Sequence, residues 1–175
     1  MDYENIMSFN DKFSITFIGM PGTGKSFKSK ILSEKYNIPV IELDTIIENN
    51  YKMPLQDIIN KYGEKEFKTI EKNAILNIKF NKPVLISPGG SIIYCEQGMN
   101  HLVNNKNLII YLKTDYDILK KRTENFTNRG IIFNGQTPEE LYNNRDILYK
   151  KYANVTLNLS KKNKNEICKL FNFLS

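Results

Sequence analysis

The stretch 19–26, with the sequence GMPGTGKS, constrains the fold of this chain more than any other part of it. It fits the pattern G-x-x-x-x-G-K-[ST], follows the apolar run 13–18 and precedes a stretch with helical periodicity. Glycines at 19, 22 and 24 allow successive N–H groups to point into one concavity, and the N-terminus of the next helix adds further donors. The order strand, loop, helix therefore predicts a phosphate-binding loop and a nucleoside triphosphate as its ligand.

Two side chains of this loop carry most of the chemistry expected there. Lys25 is placed to reach the outer phosphates, and the hydroxyl of Ser26 can ligate Mg²⁺. The alternative is an ordinary glycine-rich turn before a helix. Because every position of the motif is filled and both flanks fit, the phosphate loop is favoured.

The length and composition favour one globular domain over 1–175, in which 1–12 form a short polar extension. Hydrophobic residues make up 41% of the chain, and no run approaches the roughly 20 apolar residues of a membrane span. No signal peptide is recognised at the N-terminus, and Cys95 and Cys168 have neither zinc-ligand nor disulfide spacing. We therefore expect a cytoplasmic protein with reduced thiols and no membrane partner.

The charge balance is basic, with a formal net charge of +6 and an isoelectric point near 9.1. Such a balance can indicate nucleic-acid binding, but the lysines are scattered and no arginine-rich stripe or aromatic RNA-binding signature is present. A general attraction for small anionic substrates explains the charge better. We expect no nucleic-acid partner and a monomer.

Five short apolar runs alternate with stretches of helical periodicity, which predicts an α/β fold with three layers and a five-stranded parallel sheet. The predicted strands are 13–18, 40–43, 84–87, 108–112 and 155–159. The predicted helices run from the phosphate loop to about 36, from 45, and over 55–62, 64–80, 115–124 and 138–151. His101, the only histidine, is expected in a polar connection without a chemical role.

Acidic residues stand at the end of the second predicted strand. Glu42 and Asp44 would lie at the carboxyl edge of a parallel sheet, where ligands bind in open α/β folds. Asp44 also precedes a helical segment, so an equally good interpretation makes it the helix cap.

Two further patterns leave a functional and a structural interpretation open. Lys68 and Glu71 are three apart on one helix, where a surface ion pair is the simpler expectation. Gly89 and Gly90 follow the third strand, which indicates either a close approach of the backbone to a ligand or a tight turn.

The last third of the chain contributes three notable arginines. Arg122 shares a helix face with core residues, and the polar segment 125–136, which contains Arg129, suits a mobile lid. Arg145 lies in the apolar stripe of the helix over 138–151. A buried guanidinium needs an anionic partner, which is either the carboxylate or phosphate of a ligand or an internal Asp or Glu.

In their order and spacing these motifs resemble the shikimate kinase family, small P-loop kinases of the nucleoside-monophosphate-kinase type. The resemblance runs over about 13–159. ELDTIIE stands where the family has D-x-D-x-x-I-E, FKTIE where it has F-R-x-x-E, and SPGGS where it has three consecutive glycines. Arg122, Arg129 and Arg145 fall at the positions of its adenine-side, lid and substrate-carboxylate arginines.

The resemblance implies transfer of the γ-phosphoryl group of MgATP to the 3-hydroxyl of shikimate. It implies catalytic roles for Lys25, Asp44 and Arg129, and Mg²⁺ binding by Ser26 and Glu42. The residues implied for ATP are Gly22, Thr23, Gly24, Lys25, Ser26, Phe27, Arg122 and Arg129. The residues implied for shikimate are Asp44, Lys68, Gly89, Gly90 and Arg145, with Lys68 and Arg145 clamping the carboxylate.

Four positions depart from the family pattern, and they cluster at the expected substrate site. Glu42 replaces an aspartate, Lys68 an arginine, Ser91 a glycine and Gly130 a proline. Alternative functions are a related kinase for gluconate or another hydroxylated metabolite and a non-catalytic nucleotide-binding regulator. A nucleoside-monophosphate kinase fits less well, because few lid arginines are present.

Overall fold

The computed structural model describes residues 14–123 and 130–160. Its centre is a sheet of five parallel strands, β1 (Ile15–Ile18), β2 (Val40–Glu42), β3 (Leu85–Ser87), β4 (Leu108–Lys113) and β5 (Val155–Asn158). The strands lie in the order β2-β3-β1-β4-β5. This confirms the predicted α/β fold with a five-stranded parallel sheet. The sequence predicts the sheet because buried parallel strands appear in it as continuous apolar runs.

In residues 14–123 and 130–160, six helices connect and cover the strands. They are α1 (Lys25–Tyr36), α2 (Leu43–Tyr51), α3 (Leu55–Leu76), α4 (Glu96–Asn104), α5 (Tyr116–Arg122) and α6 (Pro138–Tyr152), and a 3₁₀ turn spans Ile92–Tyr94. Within the described ranges, none of these helices combines the length and the apolar character needed to cross a membrane.

The sheet has an apolar layer on each face, as the alternation of side chains along its strands requires. In β4, Ile109 and Tyr111 pack into one layer, whereas Ile110 and Leu112 pack into the other. The first layer is larger and includes residues of α2, α3, α4 and α6, and the second includes Leu32 of α1. This arrangement is the three-layer architecture expected from the sequence.

Two differences from the predicted elements concern α3 and α4. Gly63, with φ 83° and ψ 161°, interrupts α3 where a boundary is predicted, but α3 ends at Leu76, before the predicted end at 80. Asn77 is the C-cap of α3, and its backbone N–H donates to the carbonyl oxygen of Asn73. His101 lies in the short helix α4 and not in the predicted polar connection. The large apolar side chains that α4 buries are those of Met99 and Leu102.

Several predictions fall outside the described residues. These are the extension over 1–12, residues 125–129 of the lid with Arg129, and Cys168.

The topology brings three segments to one edge of the sheet. The phosphate loop follows β1, α2 follows β2 directly, and Gly89 and Gly90 follow β3. Because β2, β3 and β1 are neighbours in the sheet, these segments lie side by side at its carboxyl edge. This is the edge at which parallel α/β sheets bind ligands.

Candidate active site

The conformation of the phosphate loop depends on glycines with positive φ. Gly22 and Gly24 both have φ 85°, in the region that favours glycine, and Gly24 is the N-cap of α1. A methyl group placed on Gly22 would lie 2.6 Å from Cγ2 of Thr123, so the loop also packs too closely there for a side chain. The buried hydroxyl of Thr23 donates to the carbonyl oxygen of Met20 at 2.9 Å. The loop is therefore preformed as a backbone concavity at a helix N-terminus.

The ammonium of Lys25 lies against the carbonyl oxygens of its own loop. Nζ donates to the carbonyl oxygens of Gly19 at 2.9 Å and Met20 at 3.3 Å. Burial lowers the pKa of Lys25 to about 8, and the nearby carboxylate of Asp44 opposes that shift. A second anion, such as a phosphate, would stabilise the charged form further.

Oxygen atoms of three segments meet beside Lys25. The hydroxyl of Ser26 donates to Oε2 of Glu42 at 2.8 Å, and it lies 3.3 Å from the hydroxyl of Ser87. Glu42 itself occupies the N-cap of α2. Among the described residues, no group of three or more His, Cys, Asp or Glu side chains is placed to hold a metal ion by itself.

Asp44 lies in the first turn of α2, with Oδ1 buried and without a hydrogen-bond partner in the part of the chain the structure describes. The interpretation of Asp44 as the helix cap is therefore wrong, because β2 ends at Glu42 and the helix begins one residue before Asp44. Burial raises the pKa of Asp44, and the charge of Lys25 opposes that shift. An unpartnered buried carboxylate oxygen is suited to accept a hydrogen bond from a ligand hydroxyl.

A second carboxylate, that of Glu71 in α3, reaches the same place. A methyl group placed on Gly89 would lie 2.5 Å from Oε1 of Glu71 and 3.1 Å from Oδ1 of Asp44. Glu71 is only 3% exposed, and both of its oxygens accept from the hydroxyl of Ser91 at 2.6 Å. Burial raises the pKa of Glu71 to about 7.

The predicted ion pair between Lys68 and Glu71 is not formed in the described part of the chain. Nζ of Lys68 instead donates to Oδ1 of Asn134 at 2.6 Å. The structural alternative for these two residues is therefore wrong, because Ser91 arrives from another part of the chain to bond Glu71.

Arg145 is 1% exposed and faces the carboxyl edge of the sheet. Its Nη2 donates to the carbonyl oxygen of Ile132 at 2.8 Å, and its guanidinium lies 5.4 Å from the centre of the Tyr94 ring. No carboxylate lies within ion-pair distance of it among the described residues, where Nε also lacks a partner. The internal salt bridge is thus excluded there, and an anionic ligand remains as the partner of this buried cation.

These groups line one cavity of about 490 Å³. The predicted site residues in its wall are Gly22, Gly24, Lys25, Ser26, Phe27, Asp44, Gly89, Gly90 and Arg145.

The other predicted site residues in the described ranges do not line this cavity. Thr23 is buried within the phosphate loop, and Glu42 contacts the site through Ser26. Nη1 of Arg122 donates to the carbonyl oxygen of Gly22 at 3.5 Å. Lys68 lines a separate cavity of about 290 Å³.

Some lining residues carry no functional expectation from the sequence. Glu48 and Gln56 line the cavity, and each also accepts a backbone hydrogen bond, from Leu55 at 3.1 Å and from Gly130 at 3.2 Å respectively. Glu71 is singled out only as a partner for Lys68. The signal available for Glu48 and Glu71 is that both fall inside the quoted motifs, ELDTIIE and FKTIE.

Comparison with known proteins gives a consistent result. A family model described as shikimate kinase matches residues 21–173. A shikimate kinase of Staphylococcus aureus (strain MSSA476) is 34% identical over 146 residues, which cover 82% of this chain and 83% of that protein. A shikimate kinase of Bartonella quintana (strain Toulouse) is 28% identical over 167 residues, which cover 94% and 79% of the two chains.

A solved structure shares the fold. It is a shikimate kinase from Acinetobacter baumannii in complex with shikimate, and it superposes with a TM-score of 0.76. The superposition covers 95% of this chain and 98% of the other, at 23% sequence identity.

Proposed function

The chain belongs to the shikimate kinase family, and we propose on that basis that it transfers the γ-phosphoryl group of ATP to the 3-hydroxyl of shikimate, giving shikimate 3-phosphate. It is an ATP-dependent small-molecule kinase. The single observation that carries the choice of acceptor is Arg145, a buried cation without a carboxylate partner among the described residues, in the wall of a cavity that also holds Asp44. A hydroxylated carboxylic acid satisfies both groups.

On the donor side, the phosphate loop would bind ATP through its backbone N–H groups. Lys25 would neutralise the charge that develops on the transferring phosphoryl group, since its ammonium already lies in the loop. Arg122 would pack against the adenine, and Arg129 would close over the phosphates from the lid. Phosphoryl transfer depends mainly on such positioning and charge neutralisation.

The residues beside Lys25 fit Mg²⁺. Ser26 and Glu42 present oxygen atoms 2.8 Å apart, and Mg²⁺ prefers oxygen ligands and usually keeps several waters and phosphate oxygens. Ser26 and Glu42 would therefore hold the ion together with the nucleotide. When bound, Mg²⁺ would offset part of the phosphate charge.

On the acceptor side, Asp44 would accept a hydrogen bond from the reacting hydroxyl and orient it or take its proton. Arg145 would bind the carboxylate through its planar guanidinium. Gly89 and Gly90 would offer backbone N–H groups, since both line the cavity. Lys68 would add a second positive charge near the carboxylate, although its ammonium is bonded to Asn134.

A gluconate-like acid also combines a carboxylate with hydroxyls, so the acceptor must be tested directly. ADP release with MgATP should be measured with shikimate, gluconate, other hydroxy acids and polyols that lack a carboxylate. We expect the highest kcat/KM for shikimate, and we expect the product to carry its phosphate on the 3-oxygen by ³¹P NMR. A higher value for another acid would identify a different kinase of this group, and no turnover with any acceptor would favour a nucleotide-binding regulator.

We also propose that the protein acts as a monomer. Light scattering after size exclusion should give the mass of one chain, 20.4 kDa. A mass of twice that value would contradict the proposal.

A further inference from the structure

Ser91 makes the side-chain hydrogen bonds to a buried carboxyl group in the acceptor site. It is 6% exposed, and its hydroxyl lies 2.6 Å from both oxygens of Glu71. A buried carboxylate must be paired or hydrogen-bonded. Glycine, which the shikimate kinase family has at this position, offers no side-chain donor.

The cations near Glu71 are bonded elsewhere. Lys68, three residues before Glu71 on α3, donates to Asn134 at 2.6 Å. Arg145 donates to the carbonyl oxygen of Ile132 at 2.8 Å. The hydroxyl of Ser91 is therefore the side-chain donor that holds Glu71 within the described ranges.

We propose that Ser91 is a positioning residue for the acceptor: it holds the carboxylate of Glu71 away from the guanidinium of Arg145 and so keeps Arg145 free to bind the acceptor's carboxylate. In this role Ser91 compensates for lysine at position 68, where an arginine would offer a planar fork to Glu71. The assignment of an acceptor carboxylate to Arg145 rests on the proposed function.

The surroundings of the two charged groups support this competition. A methyl group on Gly90 would lie 3.0 Å from Nη1 of Arg145, and one on the adjacent Gly89 would lie 2.5 Å from Oε1 of Glu71. The two side chains thus contact neighbouring residues of the same loop. Nε of Arg145 is buried without a partner among the described residues, so it is available to a carboxylate that turns toward it.

Kinetics of four variants test the proposal. Ser91→Ala should raise the KM for the acceptor by about tenfold, the usual effect of one hydrogen bond to a charged group, and should leave the KM for ATP unchanged. Lys68→Arg in the Ser91→Ala background should restore most of the lost affinity, since an arginine three residues from Glu71 can pair with it. Because Lys68 is itself assigned to the acceptor site, Lys68→Arg alone is also measured, and its effect on the acceptor KM should be smaller with Ser91 present than with Ala at that position. Ser14→Ala is the matched control, because Ser14 is buried and its hydroxyl accepts from the N–H of Val84.

A structural role would give a different pattern. If Ser91→Ala lowers the melting temperature but leaves the acceptor KM unchanged, the positioning role is wrong. If Lys68→Arg changes the acceptor KM by the same factor with Ser91 and with Ala at that position, the two residues are not coupled and the compensation is wrong.

An NMR experiment without acceptor separates this inference from the identity of the acceptor. The Nε–H resonance of Arg145, assigned by comparison with Arg145→Lys, should move downfield and exchange more slowly in Ser91→Ala, because a carboxylate then accepts from it. It should return in the double variant with Lys68→Arg. An unchanged resonance in Ser91→Ala would overturn the inference, whereas failure of shikimate to support ADP release would contradict only the proposed acceptor.

Discussion

The ammonium of Lys25 donates a 2.9 Å hydrogen bond to the carbonyl oxygen of Gly19, the residue at which the phosphate loop begins. Lys25→Ala should lower kcat on the order of 10²–10³-fold, because it removes a preorganised charge from the transferring phosphoryl group. The melting temperature should not fall, since burial opposes the charge of this lysine. Coupled assays and thermal melts check both points. Lys30→Ala, at an exposed lysine of α1, is the control, and full activity of a folded Lys25→Ala would contradict the assignment.

Asp44→Asn should lower kcat on the order of 10²–10⁴-fold and leave the KM for ATP nearly unchanged. The reason is that Asp44 presents to the cavity a buried oxygen that has no partner in the described part of the chain, and an amide cannot take a proton from the acceptor. Asp57→Asn serves as the control, because Asp57 is an exposed carboxylate in the first turn of α3. Loss of ATP affinity with normal kcat would move Asp44 to the nucleotide side.

Arg145→Lys should raise the KM for the acceptor by about tenfold or more, since lysine keeps the charge but loses the two parallel donors. The KM for ATP should stay constant. Initial rates over a range of acceptor concentrations measure the effect, and Lys151→Ala, at an exposed cation of the same helix, is the control. A drop in stability with an unchanged acceptor KM would make Arg145 a structural residue.

Glu71 should make the stability of the fold depend on pH. Its pKa is raised from 4.5 to about 7 by burial, so between these values the folded state binds more protons than the unfolded state. The contribution of Glu71 should therefore lower stability as pH rises through this window, by up to about 1.4 kcal/mol for each pH unit. Denaturant melts from pH 4.5 to 8 should show a smaller decline for Glu71→Gln than for the wild type.

The matched control for this experiment is Glu66→Gln, at an exposed carboxylate of α3. It should decline with pH as the wild type does. Identical curves for Glu71→Gln and the wild type would mean that Glu71 is ionised in the folded state without cost.

Restoring the family's proline, Gly130→Pro, should lower the free energy of unfolding. Gly130 has φ 62°, whereas proline requires about −65°, and the N–H that proline lacks donates to Oε1 of Gln56 at 3.2 Å. Gly130→Ala should also destabilise, because the added methyl group would lie 2.5 Å from Cβ of Leu55.

Gly135→Ala separates strain from contact at Gly130. Gly135 has φ 73°, but a methyl group there would meet nothing within 4 Å. Both alanine variants should therefore share a backbone cost of roughly 1–2 kcal/mol, and Gly130→Ala should lose a further 1–3 kcal/mol or so from the contact. Equal free energies of unfolding for the two would show that Leu55 moves aside freely.

The sheet could be predicted from the sequence because its signal is local. Each strand is an apolar run, and the phosphate loop that follows β1 has a fixed spacing. The predicted ends of the strands differ from the observed ends by one or two residues. In β2 this small shift moves Asp44 from the cap into the first turn of a helix. By contrast, α4 has only nine residues, of which Met99, Leu102 and Val103 are apolar, and no helix is predicted there from the sequence.

The partners of the charged residues in the site could not be predicted in the same way. The spacing of Lys68 and Glu71 correctly indicates neighbours on a helix, but Ser91 and Asn134 take the place of that pair. Both partners are distant in sequence, and their arrival depends on how β3 and the segment after the lid meet α3. The burial of Arg145 could be predicted, because an apolar stripe is periodic. Whether its partner is an internal carboxylate or the anion of a ligand could be decided only from the folded structure.

The position of β1 has a consequence for how the protein is made. It is the first strand in sequence, yet Ile15 pairs with Leu85 on one side and Leu108 on the other. The ribosome therefore releases the phosphate loop long before either neighbour of its strand has been synthesised. Contacts so distant in sequence require closure of long loops and form slowly. The phosphate loop, to which we assign nucleotide binding, is thus translated before the neighbours of its strand and assembled after them, and a nascent chain that stops before Leu108 lacks one flank of the strand on which the loop rests.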